Sequence, residues 1–271
     1  MNTDDGHNRC YIFTASENLF PELFNKFPNK ICPDIPENKV YFDIKTGNID
    51  YADIFGLPTE RLNVFMLKES KTDTGNLSCG EINKKIAEAV KHSEAASGKK
   101  IAGVIGASGV YIDPFSEISF TELIAAYDEQ IQALENYADL YIIKDIYTMS
   151  DMRAALLSCK KTEKPVFVTV APKEEDSGET GGISALGGLV TAQEMGADAF
   201  GIYFRESKKY NEAAKELIRY AKIPLIADLR CESDEIPVFS GANYAEYSLT
   251  DDINIRLREK SADGWSASAS E

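Results

Sequence analysis

Short apolar runs alternate with amphipathic stretches along most of this chain, and that alternation sets the expected elements. The runs at 40–43, 63–67, 101–105, 140–143, 165–170, 199–203, 224–227 and 244–247 read as buried β-strands. Between them, residues 80–96, 120–136, 150–160, 183–195 and 208–221 space their apolar positions three and four apart, as a helix with one buried face does. Ile82, Ile86, Ala89 and Val90 mark such a face. Ser119 precedes the 120–136 pattern and Glu122 stands three residues later, which is the spacing of a capping box. The last quarter is less regular. Only residues 231–241 separate the seventh strand from the eighth, which is short for a parallel crossover, so an abbreviated or absent seventh helix is expected. A final helix at 250–259 and a frayed polar tail at 261–271 complete the pattern.

Strands alternating with helices predict a parallel α/β protein. A (β/α)8 TIM-type barrel in a single domain is favoured over an open doubly wound sheet. No strand is followed by GxGxxG or GxxxxGK[ST], so the nucleotide-binding form of the open sheet has no support. Residues 1–38 read as an N-terminal extension, with a helical pattern at 17–26 broken by Pro28, Pro33 and Pro36. The barrel is expected over 39–260 and a flexible tail over 261–271.

Charge narrows the function. The formal net charge of −15 argues against a nucleic-acid or anionic-membrane surface, since both need a basic face. No run of about 18 apolar residues is present, and the start MNTDDGHNR lacks the pattern of a signal peptide. A cytoplasmic protein is the expectation. Five cysteines are scattered without a CxxC pair, which fits a reducing compartment. With only His7 and His92 available, neither a His-rich metal site nor a Ser-His-Asp triad is expected.

In a barrel, the residues just past each strand converge on one face. Those positions are Asp43 and Lys45, Lys68 and Glu69, Ser108, Lys144 and Asp145, Lys173, Tyr203 and Arg205, Asp228 and Arg230, and Ser248. About half are expected to be merely solvated, because loops are wet. Lys144, Asp145, Asp228 and Arg230 directly follow strands four and seven, where side chains can point into the mouth.

The stretch DSGETGGISALGGLVTAQEMGADAFGIYFR at 176–205, together with residues 100–155, resembles the homocysteine S-methyltransferases, the family that includes the N-terminal barrel of cobalamin-dependent methionine synthase. The resemblance spans roughly residues 40–232 and implies a barrel. It also implies a zinc site that lowers the thiol pKa of homocysteine, built from one cysteine after strand six and a cysteine pair after strand eight. Here those places read Tyr203-Phe204 and Ser248-Leu249-Thr250. The third strand's Gly-Pro-x-Gly reads Gly106-Ala107-Ser108-Gly109, and the fourth strand's Glu-Thr reads Lys144-Asp145. Of Asp-Gly-Ala-x-Gly-Thr on the first strand, only Asp43 and Gly47 stand.

A divergent member without the zinc-thiolate site follows from this comparison. The expectation is methyl transfer to or from a small molecule or a corrinoid (cobalamin) partner protein, with no metal and no directly bound cofactor. Asp145, Asp228 and Tyr203 are the candidate base or anchor residues. Asp43, Lys68, Glu69, Ser108, Lys144, Arg205 and Arg230 are the candidate substrate contacts at the mouth. The alternative is a noncatalytic homologue that binds a ligand or a partner such as a methionine synthase-type module. A Schiff-base chemistry at Lys144 or Lys68 ranks third, because the neighbouring Asp145 and Glu69 favour protonated lysines.

Overall fold

The apolar runs become strands because a parallel sheet under helices buries both faces of each strand. The computed structural model describes residues 10–14, 54–70, 74, 76–92, 96–112, 116–172, 182–204, 207–228 and 244–247. The strands are β1 (Cys10–Thr14), β2 (Ile54–Gly56), β3 (Lys100–Ile105), β4 (Leu140–Ile146), β5 (Val166–Val170), β6 (Ala199–Ile202), β7 (Leu225–Asp228) and β8 (Tyr244–Tyr247). The helices are α1 (Val64–Glu69), α2 (Cys79–Lys91), α3 (Phe120–Leu134), α4 (Met149–Cys159), α5 (Ala185–Glu194) and α6 (Ser207–Tyr220). Each strand pairs in parallel with the next, and β8 pairs in parallel with β1, so the curled sheet returns on itself in sequence order. No helix among the described residues is long and apolar enough to cross a membrane.

Alternation along the strands separates two cores. Ile54, Ala102, Leu140, Ile142, Phe167, Ala199 and Ile226 form the inner cluster. Their strand neighbours Phe55, Ile101, Tyr141, Ile143, Val168 and Phe200 pack outward with the helices. Tyr127, Tyr141, Phe55 and Phe200 are among the largest fully buried side chains. Burial of a large apolar side chain contributes roughly 1.5–3 kcal/mol. Small residues let the layers close: a Cβ on Gly201 of β6 would stand 2.9 Å from the Ile226 Cβ on β7.

Helix starts are fixed by side chains that satisfy otherwise unpaired N–H groups. At α3, the Ser119 N–H donates to Glu122 Oε2 at 2.8 Å, and the Glu122 N–H donates back to Ser119 Oγ at 3.2 Å. Ser78 and Glu81 repeat the capping box at α2.

The loop after β2 lies along β3 and holds its end. Leu57 N–H donates to the Ala102 carbonyl at 2.8 Å, Thr59 Oγ1 to the Val104 carbonyl at 2.8 Å, and Asn63 Nδ2 to the Ala107 carbonyl at 3.0 Å. Gly106 N–H donates to the Glu60 carbonyl at 3.1 Å. A Cβ on Gly106 would lie 2.4 Å from that carbonyl oxygen.

The parallel α/β arrangement matches the sequence expectation, and the strands expected from 101 onward fall close to β3 through β8. Two placements differ. The run at 63–67 is not a strand: Asn63 caps α1 by accepting from the Phe65 and Met66 N–H groups, and the apolar run forms the helix. A short apolar run does not distinguish the two elements by period. The strand beside β3 is instead Ile54–Gly56, and the strand that closes the sheet is Cys10–Thr14, inside the segment 1–38 read as an extension. The strand expected at 40–43, the shortened helix at 231–241, the helix at 250–259 and the tail lie outside the described residues.

The contact at Gly106 gives a direct test. Gly106→Ala forces the Glu60 backbone to move, and a loss of about 1–3 kcal/mol is expected. A urea titration checks it, and a midpoint equal to that of the parent chain would remove this contact from the account.

Candidate functional site

Strand β4 ends irregularly, and two of the candidate residues, Lys144 and Asp145, stand at this end. Its pairing with β5 shifts register between Ile143 and Ile146. Asp145 has a φ of 52°, a left-handed conformation that few non-glycine residues adopt. Its N–H leaves the regular ladder and donates to Thr169 Oγ1 on β5 at 3.3 Å. Period-two alternation carries Lys144 onto the same side as Leu140 and Ile142, the inner side. Lys144 is 3% exposed and Thr169 is fully buried.

Two further candidates, Tyr203 and Asp228, follow on the next strand ends. The Tyr203 N–H donates to the Val170 carbonyl at 2.8 Å, and the Ala171 N–H donates to the Ile146 carbonyl at 2.9 Å. Asp145 and Tyr203 therefore flank the end of β5. Ile202 is in register with Ala227, so Asp228, the last residue of β7, follows beside Tyr203. Asp228 is itself in register with Glu246 of β8.

A second polar group lies behind the ends of β3 and β4. Asp151 is fully buried in the first turn of α4. Its Oδ1 accepts from Tyr127 Oη at 2.6 Å and from the Ser108 N–H at 3.2 Å. Its Oδ2 accepts from Thr148 Oγ1 at 3.0 Å, while the Asp151 N–H donates to Thr148 Oγ1 at 3.1 Å. Burial, and then the Asp151 charge, push the Tyr127 hydroxyl well above the ordinary phenol range. One carboxyl group thus ties the loop after β3, the middle of α3 and the start of α4 together. Tyr147, 44% exposed, stands beside it, and desolvation followed by Asp151 and Glu69 raises its hydroxyl too.

The remaining expected residues divide by place. Lys68 and Glu69 are exposed at the last turn of α1 and not at a strand end. Glu69 still reaches the loop after β3, since its Oε2 lies 3.2 Å from where a Gly109 Cβ would stand. Ser108 is 1% exposed, with its N–H on Asp151 and its Oγ accepting from the Val110 N–H at 3.0 Å. Asp43, Arg205 and Arg230 lie outside the described residues, as do Lys45, Lys173 and Ser248. Asp151, Tyr127 and Thr148 were missed by the strand-end reading. The signal for them was Thr148-x-x-Asp151, a helix-start pattern that also supplies a buried acceptor.

The donor set decides what the described part can hold. No group of three or more His, Cys, Asp or Glu that could hold a metal stands together among the described residues. The described free thiols, Cys79 and Cys159, are buried on α2 and α4. Burial, then the Glu129 charge, push Cys79 up to about 12, and burial likewise raises Cys159. Neither is a ready thiolate, and Tyr203 and Phe204 follow β6. These residues do not fit a zinc-thiolate centre.

The sequence pattern of the family described as Homocysteine S-methyltransferase matches residues 55–254. Among solved structures, the metallated form of the homocysteine methyltransferase MmuM from Escherichia coli superimposes with a TM-score of 0.63 at 16% identity, over 94% of this chain and 97% of that one. Its oxidized form gives 0.60 at 14% identity with the same coverage. The carboxyl transferase domain of pyruvate carboxylase from Rhizobium etli gives 0.50 at 12% identity, over 90% of this chain and 40% of that one. At these identities the structures share the fold. No curated protein matches this chain in sequence.

Two measurements test the geometry. Asp151→Ala leaves the Ser108 N–H and the Thr148 hydroxyl short of an acceptor and the Tyr127 hydroxyl with only the Gly106 carbonyl at 3.2 Å, so a loss of about 2–4 kcal/mol in urea unfolding is expected. Tyr127→Phe should cost less. The double variant should lose less than the sum, because the two share one bond; strict additivity would contradict the network. For Cys79, a folded value above the unfolded one means its contribution to stability is intact below about 9. That contribution falls as pH rises from there through about 12. Urea midpoints across that range should fall more steeply for the parent chain than for Cys79→Ala, and parallel curves would overturn the assignment.

Proposed function

The chain belongs to the homocysteine S-methyltransferase family, and from that premise we propose that it is a divergent methyl-transfer protein working without the zinc-thiolate centre. The reading places the reaction at the mouth of a (β/α)8 TIM-type barrel in one domain that starts at β1 instead of at residue 39. A methyl group moves to or from a small molecule bound there, and a corrinoid (cobalamin) protein is the proposed partner. No metal is required of this chain in that scheme.

The observation that carries this reading is the row of strand ends from β4 to β7. Asp145 and Tyr203 flank the end of β5, and Asp228 follows on β7. Asp145 or Asp228 would take a proton from a protonated acceptor, and Tyr203 would anchor it. Lys144 and Glu69 would serve as substrate contacts, with Lys68 beside them and with Asp43, Arg205 and Arg230 completing the mouth. Ser108 would act through its loop. Methyl transfer needs an acceptor lone pair at neutral pH. Without a metal to lower the acceptor's pKa, a positioned base is the remaining route, and such a base contributes about 10²–10⁴ in rate.

A second reading is favoured by one observation. Lys144 and Thr169 place buried polar groups at one level of the inner sheet face, which suits ligand binding without chemistry. Transfer of an isotopically labelled methyl group separates the two. Methylcobalamin and S-methylmethionine are offered as donors, with thiol and amine acceptors, in the presence of a chelator. The methyl-transfer reading predicts labelled product, reduced about 10²-fold or more by Asp145→Asn or Asp228→Asn. No product from either donor, with both variants indistinguishable from the parent, would leave the binding module.

A further inference from the structure

The Ala-Asp turns that enter β4 and β6 make the same bonds at two places in the sheet. Asp139 and Asp198 each stand one residue before their strand. Asp139 Oδ2 accepts the Ile101 N–H of β3 at 2.8 Å, and Asp198 Oδ2 accepts the Val166 N–H of β5 at 2.8 Å. Each aspartate also donates its own N–H to the carbonyl of that same residue, at 2.7 and 2.8 Å. In both turns the preceding alanine is 4% exposed and donates to a carbonyl of the helix before it, Leu134 for Ala138 and Ala192 for Ala197. The carboxylate replaces the ladder partner that a strand lacks where it begins, and the bond is charge-assisted. Pro165 has no N–H, so Val166 offers the first one that β5 can use. The clamped residue stands just before the register partner of the even-numbered strand's first residue: Leu140 pairs with Ala102, and Ala199 with Phe167.

The sequence repeats this turn before the other two even-numbered strands. Ala52-Asp53 precedes Ile54 of β2, and Ala242-Asn243 precedes Tyr244 of β8. Asp53 and Asn243 lie outside the described residues, but the strands they precede have a described register: Ile54 pairs with Ile12, and Tyr244 with Ile226. The same offset points to Tyr11 of β1 and Leu225 of β7. Leu225 follows Pro224 as Val166 follows Pro165. We propose that the Ala-Asp turn is the register lock of a two-strand unit used four times around the sheet, with Asp53 accepting from the Tyr11 N–H and the Asn243 side-chain carbonyl from the Leu225 N–H. A slip of one residue would turn every side chain of a strand to the opposite face. Each lock therefore positions residues from the end where the strands begin. The Asp198 lock keeps Thr169 on the side of Phe167, the inner side. The device is independent of the chemistry at the mouth.

Amide hydrogen exchange of the full chain, read residue by residue by NMR, tests this. Asp53→Ala is expected to speed exchange of the Tyr11 N–H by about tenfold or more. Asn243→Ala, which removes a neutral acceptor, should speed the Leu225 N–H by about threefold or more. Asp139→Ala and Asp198→Ala, whose bonds are described, set the scale at Ile101 and Val166. Asp53→Asn keeps an acceptor and should restore most of the protection at Tyr11. Asn243→Asp supplies a charged acceptor and should slow the Leu225 N–H below the parent rate. These two variants carry the test if an alanine variant fails to fold. Glu88→Ala, on the exposed face of α2, is the control and should leave all four amides unchanged. Parent-like exchange of Tyr11 and Leu225 in the alanine variants would overturn the proposal, as would Leu225 exchange no slower in Asn243→Asp. An Asp53→Ala chain in which all strand amides speed up alike would overturn it too, because Asp53 would then have no specific partner.

Discussion

A parallel sheet that curls and meets itself leaves each strand no wet face. In such a sheet one side of a strand packs against the other strands and the opposite side lies under helices, so a polar residue in mid-strand would lose its water on both sides. The inner cluster and the outer core carry this constraint from β2 to β7. Polar chemistry is thereby confined to strand ends. Among strand residues whose burial is described, Lys144 and Thr169 are the buried polar or charged ones, Thr169 next to the end of β5 and Lys144 two residues before the end of β4.

That constraint also explains how the ends are held. Loops leaving a tightly packed sheet carry backbone groups that must find partners. After β3 they find them in two directions. Glu60 and Asn63 from the β2 loop take Gly106 and Ala107, and Asp151 from α4 takes Ser108. The segment Gly106–Ser108 is thus fixed from both sides. Asp151 belongs to this scaffold and not to the row of strand ends.

Much of the fold was legible in the sequence. Strands β3 to β7 follow short apolar runs set between amphipathic stretches, and Ser119 with Glu122 announced the start of α3 by spacing alone. The run at 63–67 failed because its decisive residue is Asn63, whose capping bonds make a helix of an apolar stretch that a strand would also accept. Cys10–Thr14 failed because five residues set among polar and proline-rich sequence carry little periodic signal, and only the pairing with β2 and β8 reveals them. At the mouth, Lys144 and Asp145 were legible as charges after an apolar run. The burial of Lys144 and the left-handed turn at Asp145 were not, since both depend on the β5 neighbour. Asp151 and Tyr127 were hidden for a related reason: a polar residue in an amphipathic helix reads as solvent-facing until its partner on another element is known.

The chain belongs to the homocysteine S-methyltransferase family, and its described residues hold a buried lysine at the end of β4 and no group that could hold a metal. A crystal structure of the whole chain with anomalous difference maps on both sides of the zinc absorption edge tests this most directly. The account predicts Lys144 buried beside Thr169 on the inner face of β4, with no zinc signal at the ends of β6 and β8. A zinc peak there, held by side chains of this chain, would contradict it.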